Sequence, residues 1–314
     1  MSITIDDVRE AHQRVRPHVV RTPLLQRTLP SGLELYFKPE SLQPIGAFKL
    51  RGAFSLMTTL PADCPGVIAH SSGNHAQAVA RAARVLGLKA VVVMPSDAPT
   101  LKRARTEADG AEVVTVGPDS DERIAKAEAL AAERGLVPVP PYDHPLIMAG
   151  QGTAALEVIE DAPHPLDRFY CPVSGGGLLA GCGTVFEALS PATEVVGVEP
   201  ATANDTALSL AAGERVKIPA PDTLADGLRV RTPGAGTWPI TQRTVRRVAL
   251  VSEDAMLDAM AWALGELRLV LEPSGAVSLA AALAEADRGG RVGVLLSGGN
   301  VEPALLARVA ARAR

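Results

Sequence analysis

From about Val67 onward, short runs of β-branched and other apolar residues alternate with longer Ala-rich stretches of helical period. VIAHS (67–71) leads into a helix through Leu86, AVVVM (90–94) into one around Thr100 to Ala108, and EVVTV (112–116) into a charged helix from Asp121 to Arg134. RFYCPV (168–173), EVVGVE (194–199), RRVALVS (246–252) and VGVLLS (292–297) continue the pattern downstream. Strands that are apolar at every position are buried on both faces, and strands separated by helices pair in parallel. The expected fold is therefore α/β with parallel sheets. The Pro-rich VPVPPYDHP (137–145) reads as the segment that crosses between two units, because prolines end helices and stiffen connections. That gives an expected small domain of residues 66–143 inserted in a large one made of residues 1–65 plus 144–314.

Composition narrows the function classes. Hydrophobic residues make up 47% and charged residues 21% of the 314, the balance of an ordinary globular protein. A formal charge of -4 and only 3% aromatic residues leave neither a basic face for a phosphate backbone nor a stacking platform for bases, so no nucleic-acid partner is expected. No apolar stretch approaches membrane-spanning length, and the polar start MSITIDDVREAH lacks the basic-then-apolar pattern of a secretory signal. Cys64, Cys171 and Cys182 form no CxxC pair and read as reduced thiols of a cytoplasmic protein. The six histidines show no HExxH or similar ligand spacing, which argues against a zinc enzyme.

Three strands run straight into small residues and then a helix: VIAHSSGNH, FYCPVSGGGLL and VLLSGGNVE. Ligands of open parallel sheets bind outside the carboxyl ends of strands, where helix N-termini offer free N–H groups to anions. Three such turns point to a phosphorylated ligand. The Ser174, Gly175, Gly176, Gly177, Leu178 turn is the strongest, since consecutive glycines let several N–H groups converge on one phosphate. A tight packing turn is the plain alternative. A sharper rival is the dinucleotide fingerprint, because Gly175-x-Gly177-x-x-Ala180 fits GxGxxA and Glu199 closes the next strand, where a ribose-binding carboxylate could sit. That rival, an NAD-binding oxidoreductase, leaves the rest of the chain unexplained.

The segment IGAFKLRGA (Ile45 to Ala53) surrounds Lys49 with small and apolar residues, which lowers the amine's pKa and makes it a usable nucleophile. Taken alone, such a lysine reads as a surface residue. Its context changes that. RTPL (Arg21 to Leu24), KPESLQPIGAFKLRGA, SSGNHAQA, MAGQGTAALEV, SGGGLLAG, GVEP, LADG, EPSGAV and LSGGN follow one another in order over nearly the whole chain. Together they resemble the fold-type II (tryptophan synthase beta-like) pyridoxal-phosphate enzymes, in the branch that contains threonine/serine dehydratase and serine racemase. The resemblance is specific for the family and much less so for the substrate.

Position by position, the resemblance implies a cofactor, pyridoxal 5'-phosphate, held by Lys49 as a Schiff base, with the freed lysine taking the substrate's Cα proton. Phe48 would pack on one ring face and Gly227 against the other, Asn74 would bond the ring oxygen, and Ser174 through Leu178 would cup the phosphate. Ser297 would face the pyridine nitrogen, and a neutral hydroxyl there leaves that nitrogen largely unprotonated, favouring prompt β-elimination. Glu272 would be a cofactor-side carboxylate or a helix-start residue. Ser71, Ser72, Asn74 and His75 would bind the substrate, its α-carboxylate lying on the helix N-terminus. N-capping by the serines is the structural alternative. Ser72 matches the racemase residue that reprotonates Cα from the face opposite the lysine, where biosynthetic threonine dehydratases carry alanine.

Glu199, Ala203 and Asp205 bring two carboxylates and a carbonyl together as hard oxygen ligands, and in racemase-like relatives these positions hold a divalent ion (Mg²⁺, or Ca²⁺ or Mn²⁺). A solvated acidic loop is the bland reading. Arg123 resembles, loosely, an arginine that relatives use near the substrate, but on a helix rich in alternating charge it reads as a solvated salt-bridge partner, and Tyr142 as pocket lining or packing. The chain stops at Arg314 without the regulatory domain of feedback-controlled dehydratases, so isoleucine inhibition is not expected. The implied protein is a homodimeric threonine/serine ammonia-lyase acting on a small hydroxy-amino acid, with serine racemase and 3-hydroxyaspartate ammonia-lyase as alternatives.

Overall fold

The computed structural model describes residues 2–313. Its strands in chain order are β1 (Leu25–Thr28), β2 (Glu34–Pro39), β3 (Val67–His70), β4 (Ala90–Pro95), β5 (Glu112–Val116), β6 (Val137–Pro138), β7 (Arg168–Pro172), β8 (Glu194–Pro200), β9 (Arg247–Val251) and β10 (Arg291–Leu296). The helices are α1 (Ile5–Val15), α2 (Lys49–Met57), α3 (Asn74–Leu86), α4 (Thr100–Ala108), α5 (Ser120–Arg134), α6 (Pro145–Asp161), α7 (Gly177–Leu189), α8 (Asp205–Ala212), α9 (Trp238–Thr244), α10 (Glu253–Trp262), α11 (Pro273–Ala284) and α12 (Pro303–Ala310). The strands and helices expected from Val67 onward are all present, within a residue or two at their ends. The N-terminal hairpin β1–β2 is new.

Two sheets result. The larger runs β1-β2-β10-β7-β8-β9, parallel except for β1, which pairs antiparallel with β2. The smaller runs β5-β4-β3-β6 and is parallel throughout. Helices cover both faces of each: α10, α11 and α12 against α1, α6, α7 and α9 on the larger sheet, and α2 and α3 against α5 on the smaller. The expected double burial of parallel strands holds for β3, β4, β7, β8 and β10, while the edge strands β5 and β9 are largely half-buried or exposed.

Chain order makes a switch point in each sheet. In the larger, the chain passes from β7 through β8 to β9 and returns to place β10 between β2 and β7. In the smaller, β3, β4 and β5 step one way and β6 is added on the other side of β3. Loops leaving such neighbouring strands diverge and open a crevice at their carboxyl ends. The crevices therefore lie at Ser174–Gly177 with Ser297–Asn300, and at Ser71–Gly73 with residues 139–143.

The helix α2, which begins at Lys49, does not share the larger sheet's core. Leu50, Phe54 and Met57 pack with β3, β4 and α3 of the smaller one. Its other face carries Arg51, fully buried, which donates to Glu40 twice at 2.8 Å and to Glu157 twice at 2.8 Å. Lys38, also fully buried in β2, reaches Glu157 at 2.7 Å and the Thr22 carbonyl at 2.6 Å. Burial would raise the Glu157 carboxyl, but the bonds from Arg51 and the charge of Lys38 hold it below its ordinary value. This four-charge knot ties the start of α2 to β2 and α6.

Removing one partner from a buried ion network leaves an uncompensated charge. Glu157→Gln is expected to cost about 3–5 kcal/mol of stability, read from the urea unfolding midpoint. Arg21→Ala, which breaks an exposed pair with Glu160 and Asp161, is expected to cost under about 1 kcal/mol.

Candidate active site

The loop before α2 is stitched to the end of β10. Phe48 N donates to the Ser297 carbonyl at 3.1 Å, Gly299 N donates to the Gly46 carbonyl at 2.9 Å, and Ala47 bridges Gly298. Lys49 is thereby set at the mouth of the larger sheet's crevice. Its Nζ donates to the Pro141 carbonyl at 2.6 Å, on the strap that leaves β6, and lies 5.2 Å from the Phe48 ring centre. No carboxylate pairs with it among the described residues. Burial lowers its pKa from 10.5 to about 8, and the positive end of α2 acts in the same direction.

Across the crevice, the glycine loop after β7 is shaped for close backbone approach. Gly176 has φ 93°, a left-handed conformation that admits glycine with least strain. A Cβ on Gly175 would lie 2.4 Å from the Tyr142 ring, on Gly176 2.7 Å from Thr237 Oγ1, and on Gly177 2.9 Å from the Tyr142 backbone. Tyr142 is thus packing beneath the loop. Asp143 accepts from the N–H groups of Gly236 at 2.8 Å and Thr237 at 3.1 Å, while the Thr237 hydroxyl donates to the Gly175 carbonyl at 2.7 Å. The strap 141–143 therefore touches the lysine, the glycine loop and the 234–237 loop at once. With Leu178 buried behind it, this turn is a cradle with its N–H groups at the start of α7, and it fits a phosphate.

From the smaller sheet, Ser71, Ser72 and Gly73 precede α3. Gly73, not a serine, is the N-cap residue, and no side chain caps the helix. Ser71 Oγ accepts only from Gly73 N at 3.2 Å, and Ser72 has no hydrogen-bond partner among the described residues. The first-turn N–H groups of α3 are left for an anion. His75 follows, its Nε2 held by the Val139 carbonyl at 2.8 Å, and burial pushes its pKa down to about 3. Its ring is a neutral core group, so what it offers a substrate is its backbone N–H.

Asn74 is held from both sides. Its Nδ2 donates to Glu272 Oε1 and its Oδ1 accepts from Asn300 Nδ2 at 2.9 Å. Glu272 occupies the N-cap position of α11 yet caps nothing with its side chain; its carboxylate is spent on Asn74 and on Lys102, which donates to it at 3.1 Å and to Asp226 at 2.6 Å. Burial pushes the Glu272 carboxyl up, and the charge of Lys102 opposes it. Gly227 lies beside this group, its N–H donating to Ser274 Oγ at 2.9 Å, and Ser297 Oγ donates weakly to the Ser274 carbonyl at 3.3 Å. Lys49, Asn74, Glu272, Gly227, Ser297 and the glycine loop are thus brought around one crevice.

The chain matches the family model "Pyridoxal-phosphate dependent enzyme" over residues 15–298. It belongs to the pyridoxal-phosphate-dependent enzymes. It is 39% identical over 306 residues to the L-threo-3-hydroxyaspartate ammonia-lyase of Saccharomyces cerevisiae, covering 95% of this chain and 94% of the relative. Identity to the serine racemase of Schizosaccharomyces pombe is also 39% over 306 residues, with the same coverage. The crystal structure of a threonine deaminase from T.th. superposes with a TM-score of 0.91 at 44% identity, covering 95% of this chain and 99% of that one. The fold-type II membership expected from the motifs is shown, and with it dependence on pyridoxal phosphate. The family match spans residues 15–298, where the dinucleotide reading addressed one loop.

Glu199 and Asp205 lie at the end of β8 and the start of α8. Glu199 is buried, its two oxygens accepting from Thr206 N at 2.9 Å and Ala207 N at 3.0 Å at the start of α8. Asp205 is buried with both oxygens unpartnered. Burial raises Glu199 to about 7; burial and then the charge of Glu199 raise Asp205 to about 8. Among the described residues no three His, Cys, Asp or Glu side chains gather as a metal site. Two orphaned Asp205 oxygens near a second carboxylate are still a donor set that a hard cation fits, with the Ala203 carbonyl as a third candidate ligand.

Sequence reasoning missed Lys102, Arg105, Asp226, Asn300, Pro141, Asp143 and Thr237. Asp226 and Asn300 lie inside LADG and LSGGN and were within reach; TLKRARTEA reads only as a charged helix. Arg123 also differs from expectation. It makes no ion pair among the described residues, its Nε is buried without a partner, and burial lowers its pKa. It lies close enough to the end of β3 that, after burial, its charge helps lower His70.

Only the neutral amine condenses with an aldehyde. At a pKa of about 8, roughly a tenth of Lys49 is neutral at pH 7, several hundredfold more than for an ordinary lysine. The rate at which cofactor-free protein develops its visible band with added pyridoxal phosphate should rise with pH and level off above about 8. A rate that keeps climbing toward 10.5 would contradict a desolvated Lys49.

Proposed function

We propose that the protein is a threonine/serine ammonia-lyase, converting a small hydroxy-amino acid to a 2-oxo acid and ammonia by β-elimination. The observation that carries this reading is an unpaired, desolvated Lys49 set between a phosphate cradle and an uncapped helix N-terminus. Bound pyridoxal phosphate supplies an electron sink for the pair released at the substrate's Cα. The residues of this chain do the rest. Lys49 holds the cofactor, and its freed amine takes the Cα proton, a role suited to a pKa near the working pH. The N–H groups of Gly175, Gly176, Gly177 and Leu178 hold the phosphate, and Ser174 lines the same turn. The start of α3, with Ser71, receives the α-carboxylate. Asn74 donates to the ring oxygen, Phe48 and Gly227 bracket the ring, and Glu272 orients Asn74. Ser297 meets the ring nitrogen with a hydroxyl, which cannot keep a proton there as a carboxylate would.

Two observations favour related readings on the same scaffold. The unbonded Ser72 hydroxyl supports proton return to the face opposite Lys49, which is serine racemisation. The unpartnered guanidinium of Arg123 near the end of β3 supports a substrate with a second carboxylate, as in 3-hydroxyaspartate. We assign Glu199, the Ala203 carbonyl and Asp205 to a divalent cation such as Mg²⁺, on the strength of the orphaned Asp205 oxygens. The three free cysteines support a cytoplasmic setting.

Keto-acid release from L-threonine, L-serine and 3-hydroxyaspartate tests the reading. Lys49→Ala should abolish release on all three and prevent borohydride from fixing the cofactor to the chain, as read by mass spectrometry. Ser72→Ala should remove racemisation and spare elimination on L-substrates; equal loss of both contradicts the facial assignment. Arg123→Gln should impair 3-hydroxyaspartate turnover more than that of L-threonine. Mg²⁺ should raise the melting temperature with the logarithm of its concentration, and Asp205→Asn should remove that dependence.

A further inference from the structure

The helix α4 belongs to the smaller sheet, between β4 and β5, yet two of its cations end on the larger one. Lys102 and Arg105 are three residues apart and so share a face. Lys102 is 3% exposed and donates to Glu272 at 3.1 Å and to Asp226 at 2.6 Å. Arg105 donates to Asn300 Oδ1. Glu272 and Asn300 are the two groups that hold the Asn74 carboxamide, Glu272 on its Nδ2 and Asn300 on its Oδ1.

The consequence follows from donor and acceptor roles. A carboxamide has two orientations, and the network around it chooses between them. An ionised Glu272 accepts only, so the group facing it must be an N–H. Asn300 can offer Asn74 its own N–H because Arg105 occupies its oxygen; that amide nitrogen also donates to the Ile45 carbonyl at 2.8 Å. With Lys102 keeping Glu272 charged and Arg105 keeping Asn300 turned, Asn74 has one orientation, and its second amide hydrogen is left for the cofactor.

We propose that Lys102 and Arg105 are positioning residues through which α4 sets the Asn74 carboxamide, so that Asn74 presents an N–H to the cofactor's ring oxygen only while the smaller sheet is seated on the larger. Cofactor binding and seating of the two units are then one event. The proposal rests on the placement of Asn74 at the ring oxygen given above.

The test is a double-mutant cycle on the holoenzyme and its cofactor-free form. Lys102→Met and Arg105→Gln are each made alone and on an Asn74→Ala background. Pyridoxal phosphate affinity and the wavelength of the visible band are measured. Each single variant should weaken cofactor binding by roughly ten- to a hundredfold, the size of one lost charge-assisted hydrogen bond, and should shift the band. Lys102→Arg should restore most of both. On the Asn74→Ala background neither change should have a further effect. Arg105 is exposed, so Arg105→Gln keeps the test open if Lys102→Met fails to fold. Losses that add to that of Asn74→Ala, or an unmoved band in both single variants, overturn the proposal. A wild-type protein that binds the cofactor but whose band ignores Asn74→Ala overturns the placement of Asn74 instead, and this proposal with it.

Discussion

A primary amine works as a nucleophile and a base only if it is kept from water and from carboxylates alike, and the charge layout of this protein satisfies both conditions at Lys49. The carboxylates on the elements around it already have partners, Asp143 of the strap among them through the N–H groups of Gly236 and Thr237. Glu40 and Glu157 are claimed by Arg51 and Lys38, and Glu272 and Asp226 by Lys102. Lys49 is left with a main-chain carbonyl, which fixes its direction without fixing its proton. Were any of those acids free to pair with it, the pKa would climb back and the neutral amine would become scarce. The buried knot under α2 anchors the helix that begins at Lys49.

Placement of that amine depends on two switch points meeting. The larger sheet contributes the glycine loop Ser174–Gly177 and the Ser297–Asn300 turn, the smaller the start of α3 and the strap 139–143. Lys49 joins them, because α2 packs with the smaller sheet while the loop before it is bonded to the end of β10. The two units thus share their most reactive residue, and motion between them would change its surroundings.

Local pattern carried a large part of this. Buried parallel strands are mostly apolar, so β3, β4, β7, β8 and β10 were legible, as were the glycine turns that end three of them. The edge strands β5 and β9 showed through their β-branched runs although they are largely half-buried or exposed. What escaped depends on partners distant in sequence. The strand β2 is hidden because ELYFKP puts a lysine and a proline into what is a buried strand, and Lys38 is tolerable there only through Glu157, far along the chain on α6. For the same reason Lys102 looked like one charge among many on α4, and Arg123 like a surface residue. The serines of SSGNH suggested a cap, yet Gly73 takes that position, since its backbone conformation turns the chain into α3 without a side-chain bond.

The balance between elimination and racemisation comes down to two hydroxyls. In the proposed arrangement Ser297 would face the ring nitrogen, and a hydroxyl there would not hold a proton as a carboxylate would, which would favour prompt loss of the β-hydroxyl. For the proposed ammonia-lyase, Lys49 would then be the one base required. Racemisation needs a second acid on the opposite face, fast enough to compete. Ser72 is the unbonded hydroxyl in that loop, but an isolated serine with its ordinary acidity is a poor proton donor unless a neighbour supplies the proton behind it. His75 cannot, since burial keeps its ring neutral and the Val139 carbonyl holds its Nε2. These contacts are why we propose loss of the hydroxyl ahead of racemisation for this chain.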